Sequence, residues 1–505
     1  MERKFFVRTF GCQMNEHDSE RLASDLAASG LVRTDELDDA DVVVLNTCCI
    51  RENADNKLYG HLGHLKSLQE RRPGMQIAVG GCLAQKDRGR LLERAPFVDA
   101  VFGTHNVQRA VQLLDAARST GTSQLEVLDA PTEDPEAMPS AQRVRPELAH
   151  SAWVTIQVGC DNSCAFCIVP SVRGPEQSRP FGDLLAEVEA LAASGTAEVT
   201  LLGQNVNSYG RDLATRLRSG PGPGEDPVHL AGRRWVDEGA TRPRPLFADL
   251  LRAVGAVPGI RRVRFTSPHP KDLRPETVAA MAETPAVCEQ LHLPLQSGSD
   301  AVLAAMRRGY TAERYLERLA AARAAVDDLA VTTDVIVGFP GETDEDFEAT
   351  LAVVAEARYD SAFTFVFSPR PGTRAAEMAD RFVPEPVVAE RFERLRVVVE
   401  RSALRANEAR VGRVEEVVVE GPSRKDPDVL AGRTRQGKLL HFPAADAGRL
   451  GTGPVSAGTF ATVEVTSAAP HHLAGRLVSL EDPPAAPGVP AASGRRRRSI
   501  PLRVS

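Results

Sequence analysis

The run Cys160-Asp-Asn-Ser-Cys164-Ala-Phe-Cys167 brings three thiols onto one short loop, directly after a predicted strand. Three thiolates so placed can hold three corners of a cubane iron–sulfur cluster, because soft sulfur ligands suit iron and sulfide. No fourth nearby cysteine completes the set, which leaves one iron open to a small-molecule ligand. A structural zinc loop is the alternative. It uses four protein ligands in paired Cys-x2-Cys or Cys/His arrangements, and no His or Cys follows here at that spacing.

Cys12, Cys48 and Cys82 are far apart in the chain, yet each follows a strand-like run, at 5–10, 42–45 and 77–80. Ligands of an open parallel sheet gather in the crevice beyond the carboxyl ends of its strands, so three strands are expected to bring three thiols to one rim. Gly11, Gly80 and Gly81 adjoin them and let backbone approach a bulky group. Three unrelated buried cysteines are the alternative reading. Cys49 should point away from its neighbour Cys48, and Cys288, at the start of a strand, is expected to be an inert buried thiol.

Positioning these residues requires a scaffold. A chain of 505 residues suggests about three domains. Residues 1–117 alternate short apolar runs with helical stretches, which predicts an open parallel α/β sheet. Residues 118–150 carry the turn formers and acids of a linker. From 151 to 385 the alternation resumes, with strands predicted at 154–158, 198–202, 262–266, 290–295, 333–337 and 362–367. Six βα units predict a partial (β/α)6 barrel whose sites sit at the carboxyl ends of its strands. Residues 211–245, rich in Gly, Pro and Arg, read as an inserted loop beside that mouth. A connecting helix over 386–411 leads to a small β-barrel over 412–480, with strands at 416–420, 438–441, 459–465 and 475–478. The Pro/Ala-rich tail 481–505, with Arg495 to Arg498, is expected to be disordered.

With 42% hydrophobic residues, 26% charged residues and a net charge of −7, the chain has ordinary globular composition and is not a uniformly basic nucleic-acid binder. No apolar run reaches the roughly 20 residues of a membrane span. The first residues are too charged for a secretion signal, and eight cysteines are too sparse for a disulfide scaffold. A cytoplasmic location is expected.

Cys160-x-x-x-Cys164-x-Phe166-Cys167 matches the signature of radical S-adenosylmethionine (SAM) proteins, aromatic residue included. Gly11-Cys12-Gln13-Met14-Asn15, Asn46-Thr47-Cys48 and Gly80-Gly81-Cys82 resemble the methylthiotransferase family within them. So do Arg173-Gly-Pro-Glu-Gln-Ser-Arg-Pro180, Leu202-Gly-Gln-Asn205, Leu293-Pro-Leu-Gln-Ser-Gly298, Gly338-Phe-Pro-Gly-Glu-Thr343 and Arg370-Pro-Gly-Thr-Arg-Ala375. The resemblance runs in order from about residue 4 to residue 480.

It implies two 4Fe-4S clusters. Cys160, Cys164 and Cys167 would hold the cluster that chelates SAM and cleaves it to a 5′-deoxyadenosyl radical. Cys12, Cys48 and Cys82 would hold an auxiliary cluster that carries the sulfur. It further implies SAM contacts at Phe166, Gln204, Asn205, Ser267, Gly338 and Glu342, and substrate contacts at Glu176 and Arg179. No side chain is expected to be catalytic, since the cofactors bear the chemistry. The C-terminal barrel resembles a TRAM domain, an RNA-associated module, although its charges are mixed. An arginine-rich helix face (Arg391, Arg394, Arg396, Arg401, Arg405) either meets phosphates or is a solvated surface.

The activity implied is methylthiolation at C2 of N6-isopentenyladenosine, position 37 of tRNA, with SAM as methyl donor and radical source. Met14 and Asn15 after Cys12 favour it by resemblance. Its rivals act on threonylcarbamoyl-adenosine or on a ribosomal-protein aspartate, and a non-catalytic iron–sulfur RNA-binding sensor is the rival from another class. The expected partners are tRNA and an electron donor such as flavodoxin or ferredoxin, with no membrane and a monomeric chain.

Overall fold

The structure is a computed structural model that describes residues 2–48, 52–129, 150–220, 222–238, 245–449 and 455–481. Cys49, most of the linker expected over 118–150 and the tail beyond 481 lie outside the described residues.

The first domain runs β1 (Lys4–Phe10), α1 (Gln13–Ala28), β2 (Val32–Arg33), β3 (Val42–Thr47), α2 (Glu52–Arg71) and β4 (Gln76–Gly81). It continues with α3 (Cys82–Asp87), α4 (Gly89–Arg94), β5 (Ala100–Phe102), α5 (Ala110–Thr120) and β6 (Gln124–Glu126). The sheet order is β2-β1-β3-β4-β5-β6, and every pair is parallel. Successive strand residues face opposite sides. Val43, Leu45, Ile77 and Val79 therefore pack on Leu58, Leu62 and Leu65 of α2, while Val42, Val44 and Ala78 pack on Leu22, Leu26 and Leu113 of α1 and α5. The sheet reaches beyond residue 117. Its edge strands β2 and β6 are two and three residues long and carry few apolar residues, so hydrophobic periodicity gives them no signal.

The second domain opens with β7 (Ser151–Thr155), β8 (Gln157–Val158), α6 (Val169–Arg173), β9 (Gln177–Ser178), α7 (Phe181–Ala193) and β10 (Glu198–Leu202). Next come α8 (Arg211–Arg218), α9 (Pro227–Ala231), α10 (Arg233–Asp237), α11 (Phe247–Gly255), β11 (Arg262–Phe265), α12 (Pro275–Glu283) and β12 (Gln290–His292). It ends with α13 (Asp300–Ala305), α14 (Ala312–Ala325), β13 (Ala330–Val337), α15 (Asp344–Ala357) and β14 (Ser361–Val366). β7-β10-β11 and β12-β13-β14 form two parallel sheets joined by the parallel bridge Val263–Val287, giving six barrel strands with open edges at β7 and β14.

The described part of the stretch expected as a loop over 211–245 carries three short helices. Leu213 and Leu217 of α8, Leu230 of α9 and Trp235 of α10 join the barrel core. Each amphipathic piece is too short to stand out among the surrounding Gly, Pro and Arg.

Helix α16 (Glu385–Glu408) leads to β15 (Val414–Pro422), β16 (Val429–Thr434), β17 (Leu439–Pro443), α17 (Ala445–Arg449), β18 (Phe460–Ala469) and β19 (His472–Glu481). These five strands close into a barrel, one strand more than the apolar runs indicate. The barrel docks under the second domain through charge. Arg262, fully buried, pairs with Glu416 at 2.8 Å, and Arg264 donates to the carbonyls of Thr434 and Arg435. Arg435 pairs with Glu289, and Lys438 with Asp360.

Candidate active site at two cysteine triads

β1, β3 and β4 end on one edge of the first sheet, and each is followed within two residues by a cysteine. Cys12 caps α1, Cys48 follows β3, and Cys82 opens α3. Gly81, at φ +93°, makes the turn into Cys82, and a Cβ there would strike the Asn46 side chain and the Thr47 carbonyl. Asn46 in turn donates to the Asn15 carbonyl at 2.8 Å, tying the loops of Cys12 and Cys48 together. A hydrogen bond from Cys48 holds Cys12 below the ordinary thiol range. Burial opposes this, and the charge of Arg173 and the Asn15 and Met14 amides add to it. Arg173 belongs to the other domain. It closes α6, donates to Asp18 Oδ2 at 2.8 Å, and lies within electrostatic reach of both Cys82 and Cys12.

The second triad sits on the loop between β8 and β9, whose antiparallel pairing pins both ends. Gly159, at φ +76°, crosses so close to the returning chain that a Cβ would meet the carbonyls of Gly174 and Pro175. Cys160 N–H donates to the Gly174 carbonyl at 3.1 Å, and Cys167 N–H to that of Cys164 at 3.1 Å. Each sulfur has a donor: the Asn162 amide for Cys160, the Val169 amide for Cys167 and the Arg308 guanidinium for Cys164. Burial raises the Cys160 thiol and pushes that of Cys167 up to about 12. Phe166 packs beside Val302, Met306, Phe339 and Ala375, seating the loop on the barrel. Gly159→Ala is expected to spread this crossing and cost about 1–3 kcal/mol. A melting curve beside iron per chain checks it, and an unchanged Tm with full iron would refute the close approach.

Among the described residues, no three His, Cys, Asp or Glu side chains converge tightly enough to hold one metal ion. A mononuclear zinc site needs its sulfurs packed within bonding reach of one centre, whereas a cubane spreads them over separate irons. Each triad offers an all-thiol donor set, and soft sulfur ligands fit an iron–sulfur cluster.

Barrel strand ends supply the other expected contacts. Gln204 and Asn205 follow β10. Asn205 donates to Asp272 at 2.9 Å, and its own Oδ1, Gln204 Oε1 and Gln157 Oε1 have no partner among the described residues. Buried acceptors left unpaired cost about 1–3 kcal/mol each, so this end of the barrel suits a polar ligand with donors to give. Ser267, exposed at φ +60°, lies beyond β11, and Gly338 lies beyond β13.

Other expected contact residues are engaged within the fold. Glu342 accepts from Gly338 N–H at 3.1 Å and pairs with buried Arg391 at 2.7 Å, so it clamps its own loop to α16. Arg179 donates to the Thr155 carbonyl and pairs with Glu187 at 2.6 Å. Glu176 accepts from Ser208 at 2.6 Å, and burial pushes its carboxyl up to about 7 against that bond. On α16, Arg394 pairs with Glu348, and Arg396 with Glu393 and Glu400, while Arg401 and Arg405 are exposed with no carboxylate partner among the described residues.

Three features escaped sequence reasoning. Arg173 opens one of the quoted motifs, yet nothing in that motif shows its tie to Asp18, and Arg308 follows Arg307 in a stretch that carries no motif. The third is the inner face of the open barrel edge. Val331, Val335 and Val337 of β13 pack outward into the helix-covered core, so Thr332 and Asp334 face inward. There His292 meets Thr332 Oγ1 at 2.9 Å, Asp334 at 3.5 Å and the ring of Phe363 edge-on at 6.2 Å. Phe363 and Phe365 remain 46% and 37% exposed.

Comparison with known proteins matches this division of the chain. Residues 4–103 match Uncharacterized protein family UPF0004, residues 154–354 the Radical SAM superfamily, and residues 408–478 the TRAM domain. The fold and the Cys160–Cys164–Cys167 loop therefore define a radical SAM protein, a class that implies SAM and a 4Fe-4S cluster. TsrM, a radical SAM methyltransferase from Kitasatospora setae with cobalamin and a 4Fe-4S cluster bound, superposes with a TM-score of 0.46 at 14% identity over 74% of each chain. Among curated proteins, tRNA-2-methylthio-N(6)-dimethylallyladenosine synthase 1 of Mycobacterium marinum is 52% identical over 474 residues, 93% of this chain and 85% of the relative. The Streptomyces viridosporus synthase is 53% identical over 476 residues, 93% of this chain and 86% of the relative. The chain belongs to the tRNA-2-methylthio-N(6)-dimethylallyladenosine synthase family.

Proposed function

We propose that this protein installs a methylthio group at C2 of N6-isopentenyladenosine, position 37 of tRNA, with SAM as methyl donor and radical source. One observation carries the reading. Helix α6 starts two residues after Cys167 and ends at Arg173, within electrostatic reach of Cys12 and Cys82. Five helical residues rise only about 8 Å, so the two triads lie close to one another. Cys160, Cys164 and Cys167 would hold one 4Fe-4S cluster, and Cys12, Cys48 and Cys82 a second. The bound groups supply the chemistry, namely reductive cleavage of SAM at the first and sulfur at the second.

The chain's own residues bind, orient and exclude water. The unpaired acceptors of Gln157, Gln204 and Asn205 would receive SAM's donors. Phe363 and Phe365 offer an aromatic face suited to a base extruded from a single-stranded loop and to its apolar prenyl tail. A charged threonylcarbamoyl group would find less there. The reading includes a low-potential electron donor of the flavodoxin or ferredoxin type, a monomeric chain, and a cytoplasmic setting where tRNA resides. No helix among the described residues is long and apolar enough to cross a membrane.

Nucleoside mass spectrometry of tRNA from cells lacking the protein tests this. The 2-methylthio-N6-isopentenyl nucleoside is expected to vanish while its unthiolated precursor accumulates. Loss of the threonylcarbamoyl derivative would reassign the substrate. Unchanged nucleosides, with no 5′-deoxyadenosine from the reduced protein, would leave the sensor reading.

A further inference from the structure

Five of the buried arginines in this fold pair with carboxylates. Arg173 has Asp18, Arg179 has Glu187, Arg262 has Glu416, Arg391 has Glu342, and Arg410 has Glu415. Arg308 breaks the pattern. It is 6% exposed, and among the described residues its acceptors are the Cys164 sulfur, 3.2 Å from Nη1, and the Tyr310 hydroxyl, 3.2 Å from Nε. Tyr310 directs its own proton to the carbonyls of Pro294 and Leu295, so its oxygen is free to accept from Arg308. The guanidinium also lies 5.5 Å from the centre of that ring. Burial works against its charge, but the phenol and the sulfur outweigh burial. A buried cation is costly unless an anion meets it, and here the facing group is the Cys164 sulfur, which as a cluster ligand would be a thiolate.

The three sulfurs of this loop are not equivalent. Cys160 and Cys167 receive neutral backbone amides, while Cys164 alone receives a charged donor, from a residue 144 positions away. A charged hydrogen bond to a cluster thiolate draws electron density from the metal and stabilises the state with one more electron. We propose that Arg308 is a positioning residue that sets the reduction potential of the SAM-binding cluster, making its one-electron reduction by a low-potential donor easier. This rests on the assignment of that cluster to Cys160, Cys164 and Cys167.

The test is a redox titration of the reconstituted full-length holoenzyme, following by electron paramagnetic resonance the reduced signal that SAM perturbs. Arg308→Met is expected to lower the reduced-to-oxidised ratio about tenfold at the wild-type midpoint, a fall of about 59 mV for a one-electron couple. Arg308→Gln, which keeps a neutral donor, should fall less, and Arg308→Lys should restore most of the wild-type value. Iron per chain is measured beside each titration, so potential is compared per loaded cluster. An unchanged midpoint in the Met and Gln variants would overturn the proposal, whether or not they load less iron, because a structural role alone moves loading and stability. If Met does not fold, the Gln and Lys pair decides by the same criterion. A wild-type protein with no SAM-perturbed signal would overturn the cluster assignment, and Arg308's role with it.

Discussion

Cys164→Ala should reduce SAM cleavage to background while leaving the chain folded. The side chain is only half-buried, and among the described residues its one tertiary hydrogen bond comes from Arg308. Removing a small sulfur at such a site costs little packing. The loop keeps its anchors elsewhere, through the β8–β9 pairing and the Ala165 amide bonded to the Met306 carbonyl. What it loses is one of three corners on a cluster with no spare cysteine nearby, so iron should fall by about four of about eight atoms per chain. Chromatography for 5′-deoxyadenosine after chemical reduction reads the effect, with circular dichroism as the control for folding. Cleavage at wild-type rate would move SAM to the other triad and undo the assignment of both.

Signals that live within one element were legible in the sequence, and signals that join elements were not. Cys160, Cys164 and Cys167 share one loop, so their spacing alone carries the meaning. Cys12, Cys48 and Cys82 needed one further inference, that parallel strands end on a common rim, and β1, β3 and β4 do so as adjacent strands. Arg308 and Arg173 acquire their roles from residues 144 and 155 positions away, and nothing beside them in the chain announces it. The cations of the C-terminal barrel show the opposite limit. Arg435 and Lys438 are two among the mixed charges of that barrel in sequence, and the fold uses them on Glu289 and Asp360 to dock it. Charge composition cannot tell a cation that faces solvent from one that binds its own chain. The β-strand edges failed for a simpler reason: two or three residues are too few to display a period.

The second large effect should separate the two triads. Cys12→Ala is expected to leave 5′-deoxyadenosine formation measurable while methylthiolated product disappears. Cys12 lies in the first domain, and the loop of Cys160, Cys164 and Cys167 folds on a bond within itself to Gly174 and one to Met306 of the barrel domain, neither of which the substitution touches. Nor does it strand a charge. Arg173 keeps Asp18 as its partner, so the joint between the domains survives the loss of a nearby sulfur. The rim, by contrast, loses a thiol that Cys48, Arg173 and the α1 amides all favour as a thiolate. Iron should again fall by about half, now with cleavage retained. Assaying both nucleosides and 5′-deoxyadenosine in one reaction makes the contrast internal, since cleavage reports the barrel and product reports the pair. Full product from Cys12→Ala would leave the first domain's cysteines without a chemical role, and cleavage lost in parallel with product would mean that the triads do not act as separate units.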